Sequence, residues 1–354
     1  MPTSHLPEQC ELILGNSNKR FSGVTSTMLQ TLEYQRNIMP VCVLGAHHLE
    51  DPSLAVTFWQ LAKSLRKPLP NGKNRVFHAR RNNEMIQALL LKHIFAAKIR
   101  IVFTSTAQRY HTWLTRWLMS KMDAVISTCQ AAASYLKTPP ASIIPHGIRE
   151  DIYLPPADKK QKLHELGYEF DSAIGIFGRV REQKGVHHFV RAAIAALPQQ
   201  PAALALVVGA ITQDNQSFVD GLKAEIAAAG LEQRILFTGE RPFSELPGLF
   251  QSMSLVAALS RTEGFGLTVL EAMSSGAAVL ATDAGAWREV IREDVDGYVV
   301  PVEDGDAITA RLALMLSDSE KLATMGANGR QRVLDCYTVA REARQLCEFF
   351  QSIQ

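Results

Sequence analysis

Short runs of apolar residues recur along the chain and alternate with stretches whose apolar positions lie three or four residues apart. The short runs predict strands at residues 11–14, 41–44, 75–77, 101–104, 124–127 and 142–144, and a second series at 173–177, 204–208, 234–237, 255–258 and 278–281. The spaced stretches predict helices, for example at 82–97, 184–197 and 217–229. Nearly continuous apolar strands between helices are typical of parallel sheets covered on both faces.

Two such series predict two doubly wound α/β domains, and 354 residues suffice for two cores. A proline-rich, polar stretch at residues 138–157 separates the series. A cleft between the domains is where we expect a ligand. A hydrophobic content of 47% and a charged content of 20% suit a globular chain.

The sequence does not support a disulfide-rich, zinc-binding, secreted or membrane-spanning protein. The five cysteines are scattered without a Cys-x-x-Cys spacing, which argues against a disulfide framework or a zinc site and fits a reducing compartment. The N-terminus has no signal pattern, and no apolar stretch is long enough to cross a membrane. No set of His, Asp and Glu residues has a metal-binding spacing.

Charge is distributed unevenly. Residues 60–121 contain thirteen Lys and Arg but one acid, Glu84, although the whole chain carries only +2. The excess predicts an anionic partner, either a membrane surface, a phosphorylated glycolipid or nucleic acid, and no nucleic-acid-binding motif supports the last. Trp113 and Trp117 share one helix face in this segment and suit either a membrane interface or packing on their own domain.

The most informative segment is Ser-Arg-Thr-Glu-Gly-Phe-Gly-Leu-Thr-Val-Leu-Glu at residues 260–271. Gly264 and Gly266 would let the backbone approach a ligand, and the following apolar residues predict a helix whose free N–H groups favour phosphate. Glu263 and Glu271 suit sugar and ribose hydroxyls. The segment therefore predicts a site for a phosphorylated sugar or a nucleotide. The alternative is an ordinary loop-to-helix junction with Glu271 on a solvated face.

Two further segments follow predicted strands. Gly178, Arg179 and Lys184 come after the strand at 173–177, where the two cations could neutralise a pyrophosphate leaving group or could be mere surface charge. The small-residue loop at 21–26 could present N–H groups to a diphosphate or form a short turn.

Acidic clusters near the C-terminus are interpreted as turns. Asp294-Val295-Asp296-Gly297 matches the Asp-x-Asp pattern of metal-dependent sugar transferases, but its glycine and the following apolar residues favour a turn. The cluster at 303–306 predicts a turn and a helix cap.

Together these segments resemble glycosyltransferase family 4, the retaining, metal-independent transferases of GT-B fold. The matching pieces occur in the family's order over nearly the whole chain: residues 22–24, 145–147, Gly178-Arg179 with Lys184-Gly185, Gly239-Glu240, Glu263 with Glu271, residues 272–276 and residues 285–291. The resemblance implies two Rossmann-like domains facing a central cleft. Residues 1–149, completed by a helix at 338–354, would bind the acceptor, and residues 150–337 would bind the nucleotide-sugar.

The resemblance also implies roles for single residues. Arg179 and Lys184 would hold the donor diphosphate and stabilise the leaving group, and Gly23 would approach the phosphates from the first domain. Glu263 would contact the sugar and Glu271 the ribose. The backbone around the sugar and phosphate would come from Gly178, Gly264, Phe265, Gly266, Leu267 and Thr268. No cofactor or metal would be needed.

The family's usual histidine after the fourth strand is absent, since residues 102–107 read Val-Phe-Thr-Ser-Thr-Ala. Arg109, His111 and His146 are the acceptor-side candidates, and His146 could equally be a packed hinge histidine. In residues 103–147 and the loop at 21–26 the chain more closely resembles the lipopolysaccharide core mannosyltransferases of Gram-negative bacteria. This resemblance implies mannose transfer from GDP-mannose to the Kdo of a lipid A precursor. The enzyme would lie on the cytoplasmic face of the bacterial inner membrane, held by residues 60–121.

Three alternatives remain open. The donor could be another nucleotide-sugar and the acceptor another anionic lipid or a capsule precursor. The protein could be a nucleotide-sugar epimerase of the same architecture, which would act without an acceptor. It could also be a non-catalytic binder of nucleotide-sugars or anionic lipids, which would never turn the donor over.

Overall fold

A computed structural model describes residues 7–354, which form two compact units. Unit 1 comprises the described chain up to His146 together with Val339–Gln354, and unit 2 comprises Gly147–Thr338. The predicted absence of a signal pattern rests partly on residues 1–6, which lie outside the described residues. Within residues 7–354, the structure contains no helix with the length and apolarity needed to cross a bilayer.

Unit 1 is built on a parallel sheet of seven strands in the order β3-β2-β1-β4-β5-β6-β7. The strands are β1 (Leu12–Gly15), β2 (Val41–Leu44), β3 (Ala55–Val56), β4 (Arg75–Ala79), β5 (Ile99–Ser105), β6 (Ala124–Ser127) and β7 (Ser142–Ile143). The helices between them are α1 (Gly23–Gln35), α2 (Phe58–Ser64), α3 (Asn82–His93), α4 (Trp113–Met119) and α5 (Gln130–Ala133). One core joins the sheet to α2, α3 and α4, and a second core joins its other face to α1.

Unit 2 is built on a parallel sheet of six strands in the order β10-β9-β8-β11-β12-β13. The strands are β8 (Ser172–Phe177), β9 (Ala203–Val208), β10 (Ile235–Gly239), β11 (Leu255–Ala258), β12 (Ala278–Thr282) and β13 (Gly297–Val300). The helices are α6 (Lys159–Glu165), α7 (Val186–Ala196), α8 (Gln216–Ala228), α9 (Leu246–Ser252), α10 (Leu267–Ser274), α11 (Trp287–Val290), α12 (Gly305–Leu316) and α13 (Ser319–Cys336). The central strands are buried along their whole length, as their continuous apolar sequence predicts.

The last helix, α14 (Val339–Ile353), belongs to unit 1 and packs against α1 through Leu346, Cys347 and Phe350. The predicted α/β class with two doubly wound sheets is confirmed, and each predicted strand corresponds to an observed one. Two strands were missed. β3 is only two residues long. β13 begins at Gly297, the last residue of the turn predicted at 294–297, and its apolar residues were interpreted only as support for that turn.

Two predicted helix boundaries were wrong for local backbone reasons. The helix predicted at 82–97 ends at His93, because the chain turns at Ala96, which adopts a φ of +54°. The helix predicted from residue 184 starts at Val186. Gly185 has a φ of +70°, and residues 182–184 form a 3₁₀ turn. Lys184 therefore lies in a turn and not on the helix.

Each sheet reverses its strand order once, between β1 and β4 in unit 1 and between β8 and β11 in unit 2. The loops leaving the carboxyl ends of two such strands diverge and leave a crevice between them. The segments singled out in the sequence follow three of these four strands: residues 21–26 after β1, residues 178–185 after β8 and residues 260–271 after β11.

Candidate active site

An ion pair joins the two loops at the reversal point of unit 2. The Nζ atom of Lys184 lies 2.6 Å from Oε2 of Glu263, and both side chains are about one-fifth to one-quarter exposed. The same carboxylate oxygen lies 3.4 Å from Oγ of Ser260. The two residues are far apart in the chain, so the pair exists because β8 and β11 are neighbours. A cation and an acid that were predicted separately are therefore brought together.

Gly178 and Arg179 leave the end of β8 beside this pair. The backbone N–H of Gly178 donates to Val208 O at 2.9 Å, and the Lys184 Cε atom would lie 3.7 Å from a Cβ added at Gly178. The Arg179 side chain is exposed, and within residues 7–354 it forms no hydrogen bond or ion pair. Its guanidinium is therefore available to an anion that binds next to Lys184.

Helix α10 starts where the sequence predicted it. Gly266 adopts a φ of +84°, and a Cβ there would lie 2.3 Å from Nε1 of Trp287, so no larger residue fits. Trp287 Nε1–H donates to Gly266 O at 2.9 Å, and Ala286 N–H donates to Phe265 O at 3.1 Å. These bonds fix the loop so that α10 begins at Leu267 and Thr268 without a side-chain cap. The uncapped N–H groups of the first turn can therefore bind an anion.

The other glycine of this loop, Gly264, is half-buried, and its N–H donates to Oε1 of Glu263 at 3.3 Å. Glu271 lies in α10 and does not occupy a solvated face. Tyr153 donates its hydroxyl to Glu271 Oε1 at 3.1 Å, and burial raises the pKa of this carboxyl to about 7. Tyr153 was not identified from the sequence, because it lies far from the motif and follows no predicted strand. A carboxylate held below the surface by one donor has acceptor capacity left for a ligand hydroxyl.

The reversal point of unit 1 is organised by a residue that the sequence analysis missed. Arg81 follows β4, and its Nη2 atom donates at 2.9 Å to both Ser22 Oγ and Thr25 Oγ1. Glu84, which is fully buried, accepts from Arg81 Nη1 at 3.2 Å. Arg81 thus fixes the loop in which Gly23 lies as the first residue of α1, with open space around the position of a Cβ. Its place at a strand end was a signal that could have identified it.

Comparison with known proteins gives a consistent result. The family model described as "Glycosyl transferases group 1" matches residues 160–332. The chain is 40% identical over 345 residues to the lipopolysaccharide core biosynthesis mannosyltransferase LpcC of Rhizobium leguminosarum bv. viciae, which covers 97% of this chain and 96% of that protein. It is 39% identical over 348 residues to the corresponding enzyme LpsB of Rhizobium meliloti (strain 1021), with 97% of each covered. The chain belongs to the group 1 glycosyl transferases.

The fold of this glycosyltransferase is also that of solved relatives. Anabaena HepE, solved with UDP and glucose, superposes with a TM-score of 0.76 at 20% identity, covering 97% of this chain and 100% of that one. These findings confirm the GT-B fold, the glycosyltransferase class and the likeness to lipopolysaccharide core mannosyltransferases that the sequence indicated. They do not test the roles of individual residues, which stay predictions.

The acceptor-side candidates of this glycosyltransferase lie at different depths in unit 1. Arg109 is exposed in the loop after β5. His111 is half-buried, its Nε2 lies 2.9 Å from Ser105 Oγ, and burial and Arg109 both lower its pKa. A cavity of about 580 Å³ adjoins His111 and is lined by Tyr110, Arg116, Tyr135 and Lys137 among others.

His146 has a different environment. It is buried, and its Nδ1 lies 2.8 Å from Oε1 of Glu342 on α14. This contact ties the end of the first chain segment of unit 1 to the returning helix. The geometry favours the interpretation as a packed hinge histidine over that of an acceptor ligand.

The basic segment of this glycosyltransferase is less uniform than its sequence indicates. Arg75 is buried and donates to Lys67 O, Arg81 pairs with Glu84, and Lys92 and Arg100 both pair with Asp123. Eight cations remain exposed: Lys63, Arg66, Lys67, Lys73, Lys98, Arg109, Arg116 and Lys121. Of the sixteen large hydrophobic side chains exposed among residues 7–354, eight lie between residues 59 and 117. Cations and apolar groups are therefore concentrated on the same part of unit 1.

The acidic clusters of this glycosyltransferase behave as the sequence predicted, with one exception. Asp294 adopts a φ of +63° in a turn, Asp296 is fully buried against Arg292, and Asp304 caps α12 by accepting from Ala307 N–H. The exception is Glu303, which lies close to His187 and His188 at the start of α7. The linear spacing of the sequence could not reveal this juxtaposition, because Glu303 is distant in the chain from the two histidines.

Proposed function

We propose that this protein transfers mannose from GDP-mannose to the Kdo inner core of lipopolysaccharide, with retention of configuration and without a metal in the transfer step. The observation that carries the proposal is the Lys184–Glu263 ion pair at the reversal point of unit 2, directly before the uncapped start of α10. The two relatives that match nearly the whole chain are named as lipopolysaccharide core mannosyltransferases, which supports the sugar and the pathway.

The donor diphosphate would lie against Arg179, Lys184 and the first turn of α10. Arg179 contributes a planar fork, Lys184 a compact charge, and the helix N–H groups a partial positive charge. Charge develops on the departing nucleoside diphosphate as the glycosidic bond breaks. Groups already oriented toward that charge stabilise it most strongly when water is excluded. The same residues would therefore bind the donor and stabilise the leaving group.

Glu263 and Glu271 would bind hydroxyl groups at opposite ends of the donor. In the structure, Glu263 is held by Lys184 at 2.6 Å. When a diphosphate approaches Lys184, the cation is shared with the phosphate, and the Glu263 carboxylate becomes free to accept from the sugar. Glu271, fixed by Tyr153, would accept from the ribose. The ion pair thus keeps Lys184 and Glu263 in place until the donor arrives.

Retention is assigned to attack by the acceptor on the face from which the diphosphate leaves. In that geometry the departing phosphate can accept the proton of the attacking hydroxyl, so no protein base needs to lie behind the sugar. Glu263 would stabilise positive charge on the reacting carbon through its contact with the sugar. The assignment follows from the family resemblance, and the anomeric configuration of the product tests it.

The acceptor would be presented by a membrane that unit 1 touches. Helices α2, α3 and α4 pack on the same face of the sheet, and exposed apolar groups occur on each: Trp59, Ile86, Leu90, Trp113, Leu114 and Trp117. Aromatic rings with surrounding cations suit the interface of an anionic bilayer. We therefore assign the enzyme to the cytoplasmic face of the inner membrane, with Arg109 and His111 as candidate contacts of the acceptor.

The test is a panel of GDP-mannose, UDP-glucose, UDP-galactose and UDP-GlcNAc against a Kdo-bearing lipid A precursor, with product mass and anomeric configuration measured. We expect a hexose added only from GDP-mannose, in the α configuration. Transfer from another donor alone would contradict the mannose assignment but leave the enzyme class intact. Conversion of the donor without an acceptor would indicate an epimerase, and binding of the donor without turnover would indicate a non-catalytic binder.

A further inference from the structure

The start of α7 and the turn before α12 bring two imidazoles and a carboxylate together in unit 2. One ligand atom from each of His187, His188 and Glu303 lies within 4.8 Å of the others. We propose that these three side chains bind one divalent metal ion such as Zn²⁺, Co²⁺ or Ni²⁺, at a site that takes no part in sugar transfer. The proposal concerns stability and metal binding and does not depend on the proposed reaction.

The imidazoles lack the partners that buried polar groups normally have. Among residues 7–354, Nδ1 of His187 and Nε2 of His188 are both buried without a hydrogen-bond partner. Their rings lie with centroids 4.0 Å apart and an interplanar angle of 40°. Buried polar atoms in native proteins are nearly always bonded, so an unsatisfied nitrogen on each of two adjacent rings indicates a group that completes them.

The spacing suits a tetrahedral ion. Nε2 of His188 lies 3.4 Å from Oε1 of Glu303, too far for a well-formed hydrogen bond. Two ligands about 2.1 Å from a tetrahedral zinc ion are separated by about 3.4 Å. The other two pairs of ligand atoms lie within 4.8 Å. Three protein ligands leave one position for water.

Glu303 has a backbone conformation that residues other than glycine rarely adopt. Its φ is +64°, and because this conformation costs energy, it persists only where the surroundings impose it. Its second oxygen, Oε2, accepts from Arg261 Nη2 at 2.8 Å, and Arg261 also pairs with Glu182. One carboxylate can therefore serve Arg261 through one oxygen and a metal ion through the other.

The charges around the site select the kind of ion. Arg261 and, at longer range, Arg191 are positive, Glu182 is negative, and the first turn of α7 adds a partial positive charge. Hard ions such as Mg²⁺ and Ca²⁺ rely on several carboxylates, which are not present here. Zn²⁺, Co²⁺ and Ni²⁺ gain their affinity from imidazole nitrogen and tolerate this environment better.

A bound metal ion would link the start of α7 to the turn that precedes α12. Arg261 N–H donates to Gln183 O at 2.9 Å, and Gln183 Nε2 donates to Thr262 O at 2.6 Å. The segments that carry Lys184 and Glu263 are therefore adjacent to the ion but do not bind it. We expect the metal to stabilise unit 2, while transfer proceeds without it.

The experiment uses untagged full-length protein treated with EDTA and then dialysed. Zn²⁺ affinity is measured by competition with a chromophoric chelator, Co²⁺ by its visible absorption spectrum, and Tm with Zn²⁺, Co²⁺ or Mg²⁺. The variants are His188→Ala and Glu303→Gln, and the control is His164→Ala, whose ring lies outside the cluster and contacts Phe170 O. Tm and circular dichroism in EDTA establish that each variant is folded.

We expect one Zn²⁺ per chain, a tetrahedral Co²⁺ spectrum, a rise in Tm with Zn²⁺ but not with Mg²⁺, and at least tenfold weaker binding in both variants but not in the control. Equal Zn²⁺ affinity in folded wild type and variants, or no binding below millimolar Zn²⁺, would overturn the proposal. Transfer assayed in the same EDTA-treated samples separates the two claims. Loss of turnover there would count against metal-free transfer, whereas the direct binding measurements decide the new site.

Discussion

The two sheets reverse their strand order in the same way, but the groups gathered at the two reversal points differ. In unit 2 an acid and a cation from separate loops pair at 2.6 Å beside an exposed Arg179 and an uncapped helix start. In unit 1 Arg81 is tied to Ser22, Thr25 and the fully buried Glu84. The first arrangement can exchange partners with a ligand, whereas the second holds a loop in place.

This difference indicates how one architecture supports two tasks. A site that stabilises changing charge needs groups that are held but remain accessible, as Lys184 and Glu263 are. Under the proposed function, unit 1 would receive a large acceptor, and its recognition groups would lie on α2, α3 and α4. The reversal point of unit 1 would then act as a stable frame, and the exposed aromatic and basic residues would form the recognition surface.

The largest expected effect comes from removing the cation at the reversal point of unit 2. Lys184→Ala should lower kcat by about 100- to 1000-fold, because the leaving group loses an oriented positive charge. Arg191→Ala is the matched control, since Arg191 lies on α7 outside the loops of the site and forms an exposed ion pair with Glu225. Steady-state transfer kinetics measure both. Full activity in Lys184→Ala and also in Arg179→Ala would mean that unit 2 does not stabilise the leaving group.

The second effect concerns Glu271, whose pKa burial raises to about 7 from an ordinary value of 4.5. The folded protein keeps a proton on this carboxyl at pH values where the unfolded chain has already released it. The free energy of unfolding therefore falls as pH rises from about 4.5 to about 7 and is level above that. Glu271→Gln removes this loss and should be more stable than wild type by about 3 kcal/mol at pH 8, with little difference at pH 4.

Denaturant unfolding at both pH values measures the difference, and donor affinity should fall in the same variant. Glu225→Gln is the control with the opposite sign, because Arg191 lowers the pKa of Glu225 and that carboxylate stabilises the folded state above its ordinary pKa. Parallel pH profiles for wild type and Glu271→Gln would show that Glu271 is ionised as readily in the folded protein as in the unfolded chain. Glu271 would then no longer count among the groups that distinguish the site of unit 2 from the fixed loop of unit 1.

The sequence predicted the site of unit 2 better than that of unit 1 for a physical reason. Lys184, Glu263 and Glu271 each lie in a short segment whose glycines and strand-end position are visible in one window. The basic and aromatic surface depends on which faces three helices leave exposed. The sequence could not reveal that Arg75 is buried or that Asp123 pairs with both Lys92 and Arg100. Tyr153 was missed, and Glu303 was interpreted only as part of a turn, because the partners of both residues are distant in the chain.

The third effect tests the recognition surface of unit 1. Trp113 and Trp117 are 71% and 50% exposed on α4, and replacing both by Ala should weaken binding to anionic vesicles by about tenfold. Leu314→Ala on α12 is the control, an exposed apolar residue in unit 2. Vesicle co-sedimentation at low and high salt separates the aromatic from the electrostatic part. Unchanged binding in the Trp variant would assign these side chains to another role and would leave the basic residues alone to hold the enzyme at a membrane.

The smallest effect is expected where a catalytic motif was rejected. Asp294 and Asp296 have the spacing of a metal-binding Asp-x-Asp pair, but Asp294 pairs with the exposed Lys321, and Asp296 is buried against Arg292 and accepts from its backbone N–H at 3.1 Å. Asp294→Gly should leave transfer unchanged, and its Tm should shift less than that of Asp296→Ala, because glycine tolerates the φ of +63° at this position. Transfer assays and thermal unfolding of both variants measure this. A loss of turnover in folded Asp294→Gly would contradict the interpretation as a turn and would indicate that the Asp-x-Asp pair holds a metal ion needed for transfer.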